Sequence, residues 1–413
     1  MHVLNLVILL LLPAVKSEDD CPSTAKSQLA EIRLRRHLLC DYDKYVRPVF
    51  TKNQTVYLKI GLSLKYFQFD MHDNSFTLES WMNLYWRDLH LTWKPEEYDS
   101  LEDIRMPIND IWIPDLSAYN KRIQGGEQSL AQSTICIVEF TGNVTCVPSI
   151  SLTTTCTHDL TKYPFDTHSC YVYYGSWTYT GEELKLDFLS SPIDQTDLIE
   201  NGEWKILKSD YNRSYRVYGC CPNSTYPIIT IHFEIERIPG AHIIRVILPA
   251  IALVIITLTS FWIAPDSSDR LNLCYINFIA AFLYVQYITS LVPMKADTIP
   301  LILFFARDSL LLSTFTIIFS LILKYMVKNE NPAPLWMSRA LMIFKWFKLR
   351  KVLLRRNLSL EILSLNKEDG NDVNVNDDGL RKKECMIFAQ FLDRLCFLVF
   401  LVLYSCMFVA FTP

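Results

Sequence analysis

The sequence predicts an extracellular all-β sandwich with an N-terminal helix, followed by a four-helix transmembrane domain: an α+β, multidomain membrane protein. Three observations carry this. Hydrophobic residues make up 50% of the 413 positions, but the long apolar runs fall in the final part of the chain. Before them, short segments alternate apolar and polar residues with period two, the pattern of half-buried strands. Cysteines and glycosylation triplets also gather in that first part, as in exported domains.

In chain order, MHVLNLVILLLLPAVKS has an apolar run from Leu4 to Leu12, too short to span a bilayer, and ends in small residues near Ser17. It reads as a secretory signal over residues 1–17. Leu29, Ile32, Leu34, Leu38 and Leu39 recur at helical spacing, which predicts a helix over Ser23 to Leu39. Cys21 and Cys40 bracket it and are placed to bridge.

The stretches LKIGLSLKYFQF, SFTLESWMNLYW, CIVEFTGNVTCV and YPIITIHFEIE read as strands, with turns at Asp73-Asn74 and Thr141-Gly142. Many short strands without helical crossovers predict a β-sandwich over residues 18–238. Triplets at Asn53, Asn143, Asn212 and Asn223 are glycosylation candidates.

Four apolar runs follow: Ile243 to Ile263 with Pro249 inside it, Arg270 to Pro293, Ile299 to Leu323, and Ile387 to Phe411. They place spans one to three in residues 239–325, a cytoplasmic loop in 326–385 and the fourth span in 386–413. The loop is basic first, with Leu341, Phe344 and Phe347 at helical spacing for a membrane surface, then acidic to Asp378. Its excess of Lys and Arg places it inside. An exported N-terminus and four spans then put both termini outside. Arg245, Arg307-Asp308 and Asp393-Arg394 fall in or beside spans, and the two adjacent pairs are expected to neutralise each other.

The second span differs from the others. Asn272, Ile276, Ile279, Leu283, Gln286 and Ser290 share one helical face, polar at both ends and aliphatic at the waist, with Asp269 and Arg270 at its start. Such a stripe suits a gated pore, where an aliphatic ring closes by dewetting. It equally suits a packed helix whose polar residues bond to neighbours.

Several classes are excluded. A net charge of −4, without a basic region interleaved with aromatics, argues against a nucleic-acid partner. His158-Asp159 has no nucleophile motif beside it, and no Cys/His spacing reads as a zinc site, so no enzyme, metal or cofactor is expected. Eight of the twelve cysteines precede the first span: Cys21, Cys40, Cys136, Cys146, Cys156, Cys170, Cys220 and Cys221. That even number is compatible with full pairing. Cys274, Cys385, Cys396 and Cys406 are expected as free thiols.

Cys156-THDLTKYPFDTHS-Cys170, containing Tyr163-Pro164-Phe165-Asp166 and followed by four spans, resembles the signature of the Cys-loop pentameric ligand-gated channels. Tyr218-Gly219-Cys220-Cys221, with Tyr226 beyond it, is similar to the ligand loop of nicotinic acetylcholine receptor α-type subunits. Gly175-Ser176-Trp177-Thr178-Tyr179, Trp112-Ile113-Pro114-Asp115 leading to Tyr119, the Trp81/Trp86 strand and Asn201-Gly202-Glu203-Trp204 extend the likeness.

The resemblance implies a subunit of an acetylcholine-gated, cation-selective channel in the plasma membrane, postsynaptic, in a homo- or hetero-pentamer. It implies disulfides Cys156–Cys170 and Cys220–Cys221. Acetylcholine, or a similar quaternary amine, has no N–H to donate and is held by π-faces. The implied cage is Tyr119, Trp177, Tyr218 and Tyr226 beside Cys220-Cys221, with Trp86 donated by a neighbouring subunit. Thr145 and Val147 are further candidates on that complementary face, while Trp93, Trp112 and Trp204 belong to the core.

The implied pore runs along Asp269, Asn272, Ile276, Ile279, Leu283, Gln286 and Ser290. The Tyr163–Asp166 loop and the Asp70–Asn74 turn would press on the Pro293–Asp297 linker to open it. Departures are visible: Ser268-Asp269-Arg270 replaces Gly-Glu-Lys, Ile279 stands at a usual Leu, Ile276 at a Ser-type position, and Ser290 at a frequent acid, with Lys295 nearby. Alternatives are a channel opened by another amine, a modulatory subunit, and a non-conducting adhesion ectodomain.

Overall fold

The computed structural model describes residues 29–122, 134–157, 159–293, 298–328 and 377–411. The signal segment, Cys21, His158, Lys295, Asp297 and the amphipathic stretch around Leu341, Phe344 and Phe347 lie outside them.

Helix α1 (Ala30–Leu39) buries Ala30, Leu34 and Leu38 on one stripe. Strands β1 (Val56–Asp70) and β2 (Ser75–Arg87) form an antiparallel hairpin, turned at Asn74, whose φ of 49 is left-handed. Along β2 the alternation is strict: Phe76, Leu78, Ser80, Met82, Leu84 and Trp86 point in, and Trp81 and Tyr85 point out.

The remaining strands are β3 (Asp103–Pro107), β4 (Leu116–Ala118), β5 (Ile135–Glu139), β6 (Asn143–Cys146), β7 (Ser149–Thr154), β8 (Thr167–Ser176), β9 (Leu184–Asp194), β10 (Trp204–Tyr218) and β11 (Cys221–Arg237). A seven-stranded sheet runs β3-β5-β6-β2-β1-β9 with β7 also on β2. A four-stranded sheet runs β10-β11-β8-β4. Their inward residues meet in one core that includes Ile60, Phe76, Trp86, Trp112, Val172, Trp204 and Phe233. Burying each such side chain contributes roughly 1.5–3 kcal/mol. The sandwich expected from alternation is present.

Cys136–Cys146 staples β5 to β6, and Cys156–Cys170 closes the loop before β8. Cys40 is also disulfide-bonded. Cys274, Cys396 and Cys406 are free thiols, as expected, and Cys385 is buried.

Among the described residues four helices are long and apolar enough to cross a membrane: Gly240–Ser260, Ser268–Leu291, Leu301–Lys328, and Cys385–Ala410 within a helix from Asp377 to Phe411. The first carries a π-helical turn, Ile243–Ile247, which ends two residues before Pro249. Proline lacks the N–H that a regular helix would use there, so the hydrogen-bond ladder is already re-spaced.

The expected charge pairing needs correction. Asp393 does not pair with Arg394, nor Arg270 with Asp269. The Arg270 guanidinium donates to both Asp393 oxygens, at 2.8 and 2.7 Å, and to Ser320 Oγ at 3.0 Å. Consecutive helical residues point about 100° apart, so a buried carboxylate finds its partner on another helix. Arg394 stacks instead over the Trp262 ring, 3.6 Å from its centroid. Arg307 and Asp308, both on the outer surface, do pair, at 2.8 Å.

Candidate functional site

Four aromatic rings gather beside the outer end of β8. Tyr119 follows β4; its N–H donates to Tyr173 O at 2.8 Å and its hydroxyl to Ser176 O at 2.6 Å. The phenol lies flat across β8 because position 175 is glycine: a Cβ there would sit 2.5 Å from the Tyr119 oxygen. Asp115 sets the turn that follows. It accepts from Ser176 Oγ at 2.5 Å, Thr178 N at 2.7 Å and Thr178 Oγ1 at 2.6 Å. Between those anchors Trp177 projects outward, 71% exposed, its ring edge-to-face with Tyr119 at 6.1 Å.

The β10–β11 hairpin supplies the other two rings, Tyr218 and Tyr226, edge-to-face at 5.5 Å. Gly181 N donates to Thr225 O at 2.7 Å, tying this hairpin to the turn after β8. The two ring pairs sense each other. Burial first, then the neighbouring Tyr218, Asp115 and Tyr226, push the Tyr119 hydroxyl up to about 12, so it stays neutral at physiological pH. The carboxylates that act on the cage are taken: Asp115, beside Tyr119, accepts from three donors, and Glu183, beside Tyr226, accepts from Thr180 N and Oγ1, both at 3.1 Å. The site therefore presents π-faces rather than a free anion, the chemistry suited to a cation that has no N–H to give.

Two expected features are corrected here. Cys220 and Cys221 are free thiols whose sulfurs lie 2.8 Å apart, beyond the roughly 2.05 Å of a disulfide. Tyr218 pairs with Cys221 across the hairpin, so the peptide between the cysteines belongs to a tight tip formed by Gly219 and Cys220.

Trp86 is the second correction. It is 4% exposed, edge-to-face with Trp112 at 6.1 Å inside the sandwich, and cannot reach a neighbouring subunit. Trp81 is the outward tryptophan of that strand. Positions 81 and 86 are an odd number apart, so they point to opposite faces. Thr145 and Val147 also lie outward: Thr145 pairs with Tyr85 across β2–β6, and Val147 is exposed. Trp93, Trp112 and Trp204 are buried. Asn53, Asn143, Asn212 and Asn223 are all exposed.

In the second span, Asp269, Asn272, Ile276, Ile279, Leu283, Gln286 and Ser290 are all exposed. Arg270, Cys274, Asn277, Ala281, Tyr284 and Ile288 form the buried opposite face. Asn277 Nδ2 donates to Thr257 Oγ1 at 2.9 Å, and Tyr284 donates to Val246 O at 3.1 Å, both on the first span. Ser267 caps the helix start by accepting from Asp269 N at 3.1 Å. The stripe is thus turned away from this chain's own bundle.

The sandwich joins the bundle through the Cys156–Cys170 loop. Tyr163 is buried with Val246, Tyr284 and Ile288, and its hydroxyl meets His242 Nδ1 at 3.0 Å. Leu301 N donates to Thr161 O at 3.0 Å, and Thr298 Oγ1 bridges Leu160 N and Asp159. Met71, from the β1–β2 turn, and Phe165 pack on the same cluster. Beneath them Asp166 is bound by Arg237 and His168. Burial would raise its pKa, but those hydrogen bonds and the Arg237 charge outweigh it and hold the carboxyl at about 2. Glu203 is lowered by the neighbouring His242, 3.7 Å from its carboxylate, and by the Arg237 charge, against the effect of burial.

Sequence reasoning missed Gly175 and Asp115 as site-shaping residues, and Arg237 and His242 at the junction. Gly175 and Asp115 lay inside motifs already singled out; Arg237 and His242 carry no local signal.

Comparison with known proteins identifies the family. Residues 31–239 match the family described as neurotransmitter-gated ion-channel ligand binding domain. Neuronal acetylcholine receptor subunit alpha-5 of Gallus gallus is 29% identical over 350 residues, 83% of this chain and 74% of the relative. Subunit alpha-2 of Mus musculus is 30% identical over 356 residues, 85% and 68%. Subunit alpha-3 of Bos taurus is 29% identical over 338 residues, 81% and 66%.

Proposed function

The chain belongs to the neurotransmitter-gated ion-channel family, and from that premise we propose that it is a subunit of an acetylcholine-gated, cation-selective channel. The observation that carries the ligand class is the convergence of Tyr119, Trp177, Tyr218 and Tyr226 on a surface whose neighbouring carboxylates, Asp115 and Glu183, are each taken by hydrogen-bond donors. Acetylcholine's quaternary ammonium would sit among those rings, each cation–π contact contributing about 0.5–2 kcal/mol.

The cage lies at the end of the four-stranded sheet, whereas Trp81 lies on the outer face of the other sheet. One chain cannot bring both to one ligand. In a pentamer of this chain, alone or with related subunits, Trp81 of one subunit would close the cage of the next. The sequence-based choice of Trp86 for that role is withdrawn.

The pore would be lined by the exposed stripe of the second span. Asp269 keeps a carboxylate at the inner mouth, which favours permeant cations. Ile276, Ile279 and Leu283 form the hydrophobic constriction. Coupling would run from the cage through β8 and β11 to Tyr163, Phe165 and Met71, which pack on the bundle. The driving force is the agonist's higher affinity for the open state. Both termini would lie outside the cell, and the site of action would be a postsynaptic membrane.

The test is electrical. The chain is expressed alone and with related subunits, acetylcholine is applied, and current is recorded. Evoked cation current in any combination supports the function. Silence in all of them, with normal surface protein, would remove it.

A further inference from the structure

The outward face of Trp81 is already occupied by a cation. Lys65 Nζ lies 4.7 Å from the Trp81 ring centroid. The backbone puts it there. Along the β1–β2 ladder Leu64 pairs with Ser80 and Tyr66 with Glu79, so Lys65 is the unpaired extra residue of a bulge. A bulge re-aims a side chain that regular pleating would direct inward or elsewhere. Here Lys65 and Tyr66 are both half-exposed, breaking the alternation. The bulge is pinned from the far side, where Lys65 O accepts from Ile199 N at 2.8 Å. Ser63, two residues before Lys65, pairs directly with Trp81, which makes Lys65 a diagonal neighbour within reach of the indole. Among the described residues the Lys65 ammonium makes no ion pair, so the ring is its partner.

We propose that Lys65 is a specificity-determining residue: a tethered ammonium that occupies the Trp81 π-face and competes with the onium group of the ligand. This rests on the proposed function, in which Trp81 closes the cage of the adjacent subunit. A cation–π face holds one cation at a time, and the tethered one is always present. A ligand must displace Lys65 and also bear its repulsion. Interfaces to which this chain contributes Trp81 therefore bind quaternary ammonium more weakly than interfaces where a subunit without such a lysine does so. The chain's own cage, across the other side of the subunit, is untouched by this effect.

The test uses full-length receptors responding to acetylcholine, with this chain contributing the Trp81 face. Lys65→Gln should raise apparent acetylcholine affinity about fivefold, within the range of a single cation–π contact. Lys65→Arg, which keeps a stacking cation, should change it less than twofold. In a Trp81→Ala background the Lys65→Gln gain should fall below twofold. Unchanged or reduced affinity in Lys65→Gln overturns the proposal, as does a gain that persists undiminished without the indole. Should acetylcholine evoke nothing from any receptor, the functional reading fails, and the contact is then read chemically. Trp81→Ala should speed acetylation of Lys65 by acetic anhydride severalfold; an unchanged rate overturns the tethered-cation proposal by itself.

Discussion

Arg237 and Asp166 meet in a two-point pair, Nε to Oδ1 at 2.8 Å and Nη2 to Oδ2 at 3.0 Å, with both side chains 1% exposed. Arg237 ends β11, three residues before the first span begins at Gly240. Asp166 sits in the Cys156–Cys170 loop that contacts the bundle. Trp204 covers the guanidinium at 4.1 Å, and Glu203 takes Nη1 at 2.9 Å. The pair thus clamps the strand that enters the membrane to the loop that touches it.

Removing one partner leaves the other buried and charged. Asp166→Asn should destabilise the protein by about 3–5 kcal/mol. Thermal unfolding of the detergent-solubilised chain measures this. Asp166→Asn combined with Arg237→Gln should be less damaging than the Asp166→Asn change alone, because the buried guanidinium is gone and Glu203, which loses it, is exposed enough to be solvated.

The same carboxyl predicts an acid window. Its pKa is held at about 2, below the ordinary aspartate value of about 3.9. A depressed pKa stabilises the fold above the unfolded value and loses that contribution as pH falls through the folded one. Stability should drop by about 2 kcal/mol between about pH 4 and pH 2 from this group. In Asp166→Asn that portion of the pH dependence should be missing.

Trp177 and Trp86 should fail in different ways. Trp177 is 71% exposed, so Trp177→Ala should leave stability nearly unchanged and weaken acetylcholine binding by roughly 1–3 kcal/mol. Trp86 is core, so Trp86→Ala should cost about 3–5 kcal/mol of stability. Radioligand binding and thermal unfolding, run side by side, separate the two.

Much of this was legible in the sequence, and its failures share a cause. Period-two alternation exposed the strands, and apolar length exposed the spans, because both are set by local residue order. Trp81 and Trp86 were also separable by parity along one strand, yet motif likeness favoured the buried one. The Arg270–Asp393 pair was not legible: 123 positions separate its partners, and only helix packing brings them together. Lys65 was hidden for a related reason. A bulge shifts facing by one residue, and alternation alone cannot announce it.

The buried pair in the bundle gives a fourth expectation. Arg270 is 0% and Asp393 2% exposed, each committed to the other. Asp393→Asn should lower the yield of folded protein at the surface, with a cost of about 3–5 kcal/mol. Arg270→Met with Asp393→Leu should recover most of it. Surface biotinylation and thermal unfolding report both.

The most direct measurement follows single cysteines along the second span while acetylcholine drives current. Ile276→Cys, Ile279→Cys and Leu283→Cys should each let a cationic thiosulfonate block the current, whereas Asn277→Cys and Ala281→Cys should not. Block at the second pair alone, or at none of the five positions, would contradict a conduction path along that exposed stripe.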